Sequence, residues 1–218
     1  MIDWKKIRTI LLDMDGTLLD LHFDNHFWLE HLPQCYAERH GLPVDAARDE
    51  LRQRFDSRRG TMEWYCLDYW TDELALEITA LKRELAHLIT PRPDAIAFLA
   101  AIRRSGRRAV LVTNAHQASL ALKLEHTELA GHLDAVISAH SLGLPKEDAA
   151  FWASLRSIEP YEEESTLFID DNVEVLESAH RAGLRHLLLV AQPDSRATPR
   201  TAAAFPLMRN FREIFPDC

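Results

Sequence analysis

Two aspartates spaced two apart, Asp13 and Asp15 in IRTILLDMDGTLLD (7–20), stand where an aliphatic run ends. Alternation along an extended chain puts both carboxylates on one side, and Gly16 lets the backbone turn sharply as the run stops. Other reactive side chains share that kind of position. VLVTNAHQ brings Thr113 and Asn114 to the start of a helical segment, whose free N–H groups and dipole favour an anion. The Thr113 hydroxyl can donate to a phosphate oxygen. LFIDDN repeats the clustered carboxylates with Asp170 and Asp171, and GLPKED supplies an ammonium group at Lys146. Clustered carboxylates are costly without a cation, and hard oxygen ligands of this kind suit Mg2+. Each signal alone has an ordinary reading as an acidic turn, a helix cap or a solvated lysine. In the order DxDGT, Thr, Lys, DD they describe a phosphoryl-transfer site.

Elements must bring these residues to one place. Short β-rich apolar runs at 7–12, 108–112, 135–138, 166–169 and 186–190 are candidate buried strands. Helical spacing at 115–126, 147–157 and 173–182 separates the last four, with Gly183 closing the last helix. Pro93 reads as the first position of a helix over DAIAFLAAIRRSG, ended by Gly106. Alternation of this kind predicts an α/β fold on a parallel sheet of five strands, with ligands at the C-terminal strand ends. Residues 20–90 contain no good strand but carry helical patterns near 24–39, 44–56 and 71–88, an insertion after the first strand. The expected division is a sheet core, 1–20 with 91–218, and a helical unit, 21–90. A surface excursion over 191–206 and a short helix near 207–214 complete the reading.

Bulk properties narrow the function. A chain of 218 residues with net charge −9 lacks the positive field that nucleic acid or an anionic membrane needs, so an anionic substrate requires a local positive site. The apolar run after Lys5 and Lys6 stops at Asp13, too short for a membrane span or a signal-peptide core. Cys35, Cys66 and Cys218 are odd in number and form no CxxC, which argues against a disulfide framework or a structural zinc site and fits a reducing cytoplasm.

The four segments resemble the four motifs of the haloacid dehalogenase superfamily of phosphohydrolases: DMDGT, then Thr113, then Lys146, then Asp170–Asp171. The resemblance implies a Rossmann-like parallel five-stranded core with a helical C1-type cap at 21–90. It also implies Asp13 as the nucleophile that forms an aspartyl-phosphate, and Asp15 as the acid and base. Thr113 and Lys146 would stabilise the phosphoryl group. Mg2+ would be held by Asp13, the Asp15 carbonyl, Asp171 directly and Asp170 through water. True haloacid dehalogenases lack the second aspartate of DxDGT because a leaving halide needs no proton. The longer strings LLDMDGTLLDLHFDNHFW, EWYCLDYW, TNAH, KLEHT, PKED and TLFIDD resemble the purine 5'-nucleotidase branch of the superfamily, implying GMP and IMP as substrates.

For the nucleoside, the rings of Phe23, Phe27, Trp28, Trp64, Tyr65, Tyr69 and Trp70 offer stacking faces, and Asp24 and Asn25 offer polar contacts beside the first motif. The same ring spacings also suit a helix packing its own core. Arginines in RDELRQRFDSRRG (48–60) would give the insertion a positive face. His22 and His26 stand i, i+4 without further zinc ligands, and His116 sits one turn into the phosphate-facing helix. Two alternatives stay open: hydrolysis or mutase chemistry on another small phosphoester such as a sugar phosphate, and a non-catalytic phospho-accepting domain of receiver type. A receiver places its phosphorylated aspartate on a later strand and lacks a long insertion, which disfavours it.

Overall fold

All five apolar runs are strands in the computed structural model, which describes residues 2–216: β1 Thr9–Leu12, β2 Arg108–Thr113, β3 Ala135–Ser138, β4 Thr166–Asp170 and β5 His186–Val190. A sixth, β6 Leu207–Met208, joins them in one sheet ordered β3-β2-β1-β4-β5-β6, with every pair parallel. The sixth strand corrects the expected five, and it replaces the start of the helix expected over 207–214. It arises by pairing with the β5 edge, where Leu189 N donates to Pro206 O and Ala191 N to Met208 O, both at 2.9 Å. Local pattern does not encode a contact of that kind. Only a helical turn at Phe211–Ile214 remains of the expected helix.

Strand alternation divides the core into two faces. Ile10, Leu12, Leu111, Leu167 and Ile169 pack with helices α7 (Ala95–Arg104) and α8 (Gln117–Glu125) and with the insertion. Leu11, Val110, Val112, Phe168 and Leu189 pack on the other side with α9 (Ala149–Ile158) and α10 (Val173–Arg181). Both faces of β1 are therefore covered, which is why it reads as a continuous apolar run rather than an alternating one. Pro93 is not at the start of α7; the helix begins at Ala95 behind Asp94, whose φ of 64° makes the turn into it.

Between β1 and α7 the regular elements are helical: α1 His22–His26, a π-helical turn Phe27–His31, α2 Leu32–His40, α3 Val44–Asp56, α4 Met62–Tyr65, α5 Leu67–Leu74, α6 Ile78–Glu84 and a short turn Ala86–Leu88. The π turn falls just before Pro33, whose missing N–H interrupts the regular ladder. The helix expected over 71–88 is broken at Ala75, which takes a left-handed φ of 52°, and the Thr71 hydroxyl then accepts the N–H of Ile78 at 3.3 Å. Residues 191–206 are more than a surface excursion. Asp194 is buried and accepts from Asn25, Pro193 O accepts from Leu21 N, and Arg200 donates to Asp171 O, so this segment braces the loops after β1 and β4. No helix among the described residues is long and apolar enough to cross a membrane. Cys218 lies outside the described residues, while Cys35 and Cys66 are free.

Candidate active site

Register sets the site. Leu12 pairs with Leu111 on one side and Ile169 on the other, so Asp13, Thr113 and Asp170 end adjacent strands at the C-terminal edge of the sheet. Lys146 reaches them from the loop before α9. Its ammonium donates to Asp13 Oδ1 at 2.6 Å, Asp170 Oδ2 at 2.7 Å and Val112 O at 3.1 Å, and all three charged residues are buried. Burial opposes the Lys146 charge, but Asp13 and Asp170 outweigh it and hold its pKa above the ordinary value. Asp171 completes the group: one oxygen from each of Asp13, Asp170 and Asp171 lies within 4.8 Å of the others. Fully ionised, three carboxylates beside one ammonium leave two uncompensated negative charges. The strain shows in their acidity. Burial, then Asp170, pushes Asp13 up to about 6 against the pull of Lys146, and burial with Asp170 and Asp13 drives Asp171 well above the carboxylate range. An all-oxygen set with an excess of two charges fits one hard dication.

Gly16 makes that proximity possible. Its φ is +83°, and a Cβ built there would lie 2.7 Å from Asp171 Oδ2 and 2.9 Å from Pro193 Cβ. The glycine of DxDGT is required both for the turn and for the approach of the Asp171 loop.

Thr113 is buried and its Oγ1 accepts the N–H of Ala115 at 3.0 Å, leaving the hydroxyl proton to donate elsewhere. Asn114 accepts the Lys146 N–H at 2.9 Å and donates to Glu147 at 2.9 Å, so its amide fixes the lysine loop. Glu147 also accepts the Tyr65 hydroxyl at 2.6 Å, tying the insertion to the same loop.

Asp15 has a partner that sequence reasoning missed. Lys123 of α8 donates to Asp15 Oδ1 at 2.7 Å and to Asp24 Oδ2 at 2.6 Å, and Lys82 of α6 donates to Asp24 Oδ1 at 2.6 Å. Both lysines are about as buried as core leucines, and Lys82 sits 4.6 Å from the Phe27 ring centroid and 4.9 Å from that of Phe23. Burial, with Asp24 and Asp13, raises Asp15 to about 6 in spite of Lys123. Asp24 moves the other way: burial is outweighed by Lys123 and Lys82, and the carboxyl is held far below its ordinary range. A row of alternating charges, Asp15, Lys123, Asp24, Lys82, thus runs from the C-terminal edge of the sheet into the insertion. The signal for Lys123 was present in KLEHT, one of the strings that carried the resemblance. Lys82 gave none, since a lysine in a helix otherwise reads as solvated.

These groups line a cavity of about 650 Å³, within the usual size of a small-molecule site. Trp28, Trp64, Tyr65 and Trp70 reach its wall, together with Phe55, which sequence reasoning missed. Phe23 and Phe27 instead enclose Lys82, and the Tyr69 hydroxyl accepts from Arg58. Asp24 and Asn25 also line the cavity, but Asp24 holds the two lysines and the Asn25 amide donates to Asp194 at 2.7 Å. Of the arginines in 48–60, Arg59 reaches the cavity; Arg48 and Arg54 pair with acids. His22 and His26 each face an acid, Asp194 and Glu30.

A family model described as haloacid dehalogenase-like hydrolase matches residues 7–183. The chain is 41% identical over 216 residues to GMP/IMP nucleotidase YrfG of Escherichia coli (strain K12), covering 99% of this chain and 97% of that protein. Among solved structures, a HAD phosphatase from Thermococcus onnurineus superposes with a TM-score of 0.78 at 19% identity over 95% of both chains. The HAD-hydrolase YfnB of Bacillus subtilis, solved bound to magnesium, superposes with a TM-score of 0.67 at 16% identity over 96% and 97%. With its motif residues meeting at one sheet edge and the family model matching most of its length, this chain is an enzyme of the haloacid dehalogenase-like hydrolase family.

Proposed function

We propose that this enzyme is a Mg2+-dependent phosphatase that hydrolyses purine nucleoside 5'-monophosphates, GMP and IMP, through an aspartyl-phosphate on Asp13. The observation that carries the reading is the pairing of two aspartates at one edge with different buried lysines, Asp13 on Lys146 and Asp15 on Lys123. The full-length likeness to a GMP/IMP nucleotidase supports the substrate.

Asp13 Oδ attacks phosphorus in line, and the phosphorus–ribose oxygen bond breaks as the new bond forms. Asp15 gives its proton to the leaving oxygen, for which a pKa near 6 suits it better than an ordinary carboxyl. It then takes a proton from the water that attacks the phosphorus of the aspartyl-phosphate, releasing phosphate and restoring Asp13. Lys146, the Thr113 hydroxyl and the N–H groups after Asp13 hold the transferring oxygens. Such preorganised charge must supply most of an acceleration that for phosphate monoesters reaches about 10^21. Asp13, Asp170, Asp171 and the Asp15 carbonyl are the residues that would hold Mg2+, which would neutralise charge on the phosphoryl oxygens.

The helical segment 21–90 acts as a cap on the core formed by 1–20 and 91–218. Its rings Trp28 and Trp64 receive the base, and its closure excludes bulk water. Asp24 and Asn25 serve the substrate by shaping the floor of this cavity. The free thiols of Cys35 and Cys66 suit a reducing cytoplasm.

A panel of nucleoside monophosphates and sugar phosphates with Mg2+, run beside Asp13→Asn, tests this reading. GMP and IMP should lead, and Asp13→Asn should be inactive. Sugar phosphates outrunning both nucleotides would overturn the substrate, and activity in Asp13→Asn would overturn the mechanism.

A further inference from the structure

A second cluster of donors, unused by phosphoryl transfer, lies where the insertion meets the sheet edge. Cys66 joins α4 to α5, His116 caps α8 two residues after Asn114, and His140 lies in the helical turn after β3. One donor atom from each lies within 4.8 Å of the others. The two rings meet edge to face, centroids 4.9 Å apart. Ligands around a tetrahedral zinc are about 3.5 Å apart, so small side-chain adjustments close the set.

Two of the donors are unpaired or weakly held, and the third is held by long contacts. Cys66 is a free thiol whose Sγ only accepts the Tyr69 N–H at 3.5 Å. His140 Nε2 is buried with no hydrogen-bond partner, an orphan that protein interiors seldom tolerate. His116 Nδ1 accepts the Ala118 N–H at 3.3 Å, and its Nε2 faces Asp68 Oδ2 at 3.5 Å. Asp68, exposed on the insertion, thereby brings a carboxylate beside His116. Sulfur with two imidazoles selects the zinc class over Mg2+, the reverse of the all-oxygen set around Asp13.

We propose that Cys66, His116 and His140, with Asp68 beside them, bind a thiophilic divalent transition metal of the zinc class and so tie the insertion to the catalytic sheet edge. Binding releases the Cys66 thiol proton to solvent as the metal–sulfur bond forms. Ligation through His116 Nε2 moves the ring proton to Nδ1 and gives up the long Ala118 cap bond. Cys66 belongs to the insertion, and His116 and His140 to the segments after β2 and β3. The metal therefore holds the insertion against the Thr113–Asn114 loop. Cysteine spacing alone argued against zinc, because this set is assembled from three separated segments.

The test uses the full chain stripped of metal, with excess Mg2+, titrated with Co2+ and followed by absorbance. One equivalent of Co2+ should give a thiolate-to-metal charge-transfer band with tetrahedral d–d bands, and Zn2+ should bleach them. Asp13→Asn, Cys35→Ser and Cys218→Ser should keep the band, and Cys66→Ser should lose it. His140→Gln should weaken Co2+ binding by about tenfold or more. Circular dichroism of each metal-free variant establishes that it is folded, and His140→Gln decides the matter should Cys66→Ser fail to fold. The absence of a thiolate band in the wild type, a band surviving Cys66→Ser, or undiminished binding by His140→Gln would each overturn the proposal.

Discussion

Replacing Lys123 by methionine keeps the apolar stem to Cε and removes the charged group. In the native protein Lys123 sits 2.7 Å from Asp15 and 2.6 Å from Asp24, and Lys82 sits 2.6 Å from the other Asp24 oxygen, so two carboxylates balance two ammonium groups. The variant leaves two carboxylates against one ammonium in a buried setting. Breaking a buried pair in this way costs about 3–5 kcal/mol. For a chain of this size that is a fall in Tm of about 6–20 °C. The kinetic consequence has a definite sign. Burial, Asp24 and Asp13 raise Asp15 and Lys123 lowers it, so without Lys123 the carboxyl rises above its native value of about 6, by about one to three pH units. A group that must be protonated to act supports activity below its pKa. The alkaline limb of kcat/KM should therefore move to higher pH, while turnover near pH 6 falls because Asp15 must lose its proton to activate water. Calorimetry and pH profiles for GMP measure both effects. Adding Asp15→Asn to Lys123→Met should recover part of the lost Tm by removing the carboxylate left unpaired, since Asp24 keeps Lys82. A Lys123→Met enzyme with native Tm and native pH profile, or a double variant less stable than the single, would refute this account of the charge row.

Gly16→Ala forces an alanine to φ +83° and sets its Cβ 2.7 Å from Asp171. The conformation alone costs about 1–2 kcal/mol, and displacement of Asp171 should cut Mg2+-dependent turnover by about a hundredfold; an unchanged kcat would contradict the tight approach. The raised carboxyl of Asp13 predicts an unusual stability profile. With a folded pKa of about 6 against an ordinary 3.8, the native state binds more protons than the unfolded chain between those limits. Stability without metal should fall as pH rises from about 4 through 6, by about 3 kcal/mol for Asp13 alone, and Mg2+ should flatten the fall; denaturant unfolding in EDTA and in Mg2+ measures it. Trp64→Ala should raise KM for GMP between about fivefold and about a hundredfold through lost base stacking while leaving KM for a phosphoester without a base unchanged. Equal changes for both substrates would remove Trp64 from the base site.

The sheet was legible because β1, β2, β4 and β5 are buried on both faces, and that burial writes itself as uninterrupted aliphatic runs. The motif residues were legible for a related reason: Asp13, Thr113 and Asp170 each end such a run, so finding the strand finds the site. Lys82 and Lys123 escaped because their partners are 58 to 108 residues away in the chain, and helical spacing says nothing of a partner on another element. β6 escaped because two residues carry no period and the strand exists only through its neighbour. The helix expected over 71–88 broke at Ala75 because a left-handed alanine leaves no local signature. Cys66, His116 and His140 were each visible in the sequence, but their proximity follows from the insertion folding back over the β2 and β3 ends.

The central claim, that Asp13 carries the phosphoryl group between ribose and water, is tested most directly by trapping it. Wild-type enzyme mixed with GMP and Mg2+, quenched in acid within a turnover and mapped by mass spectrometry, should carry a phosphoryl group on Asp13 and on no other side chain. The adduct should be absent in Asp13→Asn and should accumulate when Asp15 is replaced by asparagine and a substrate with a good leaving group is used. Phosphoryl transfer to another residue, or rapid turnover with no adduct on Asp13 at any time point, would contradict the account.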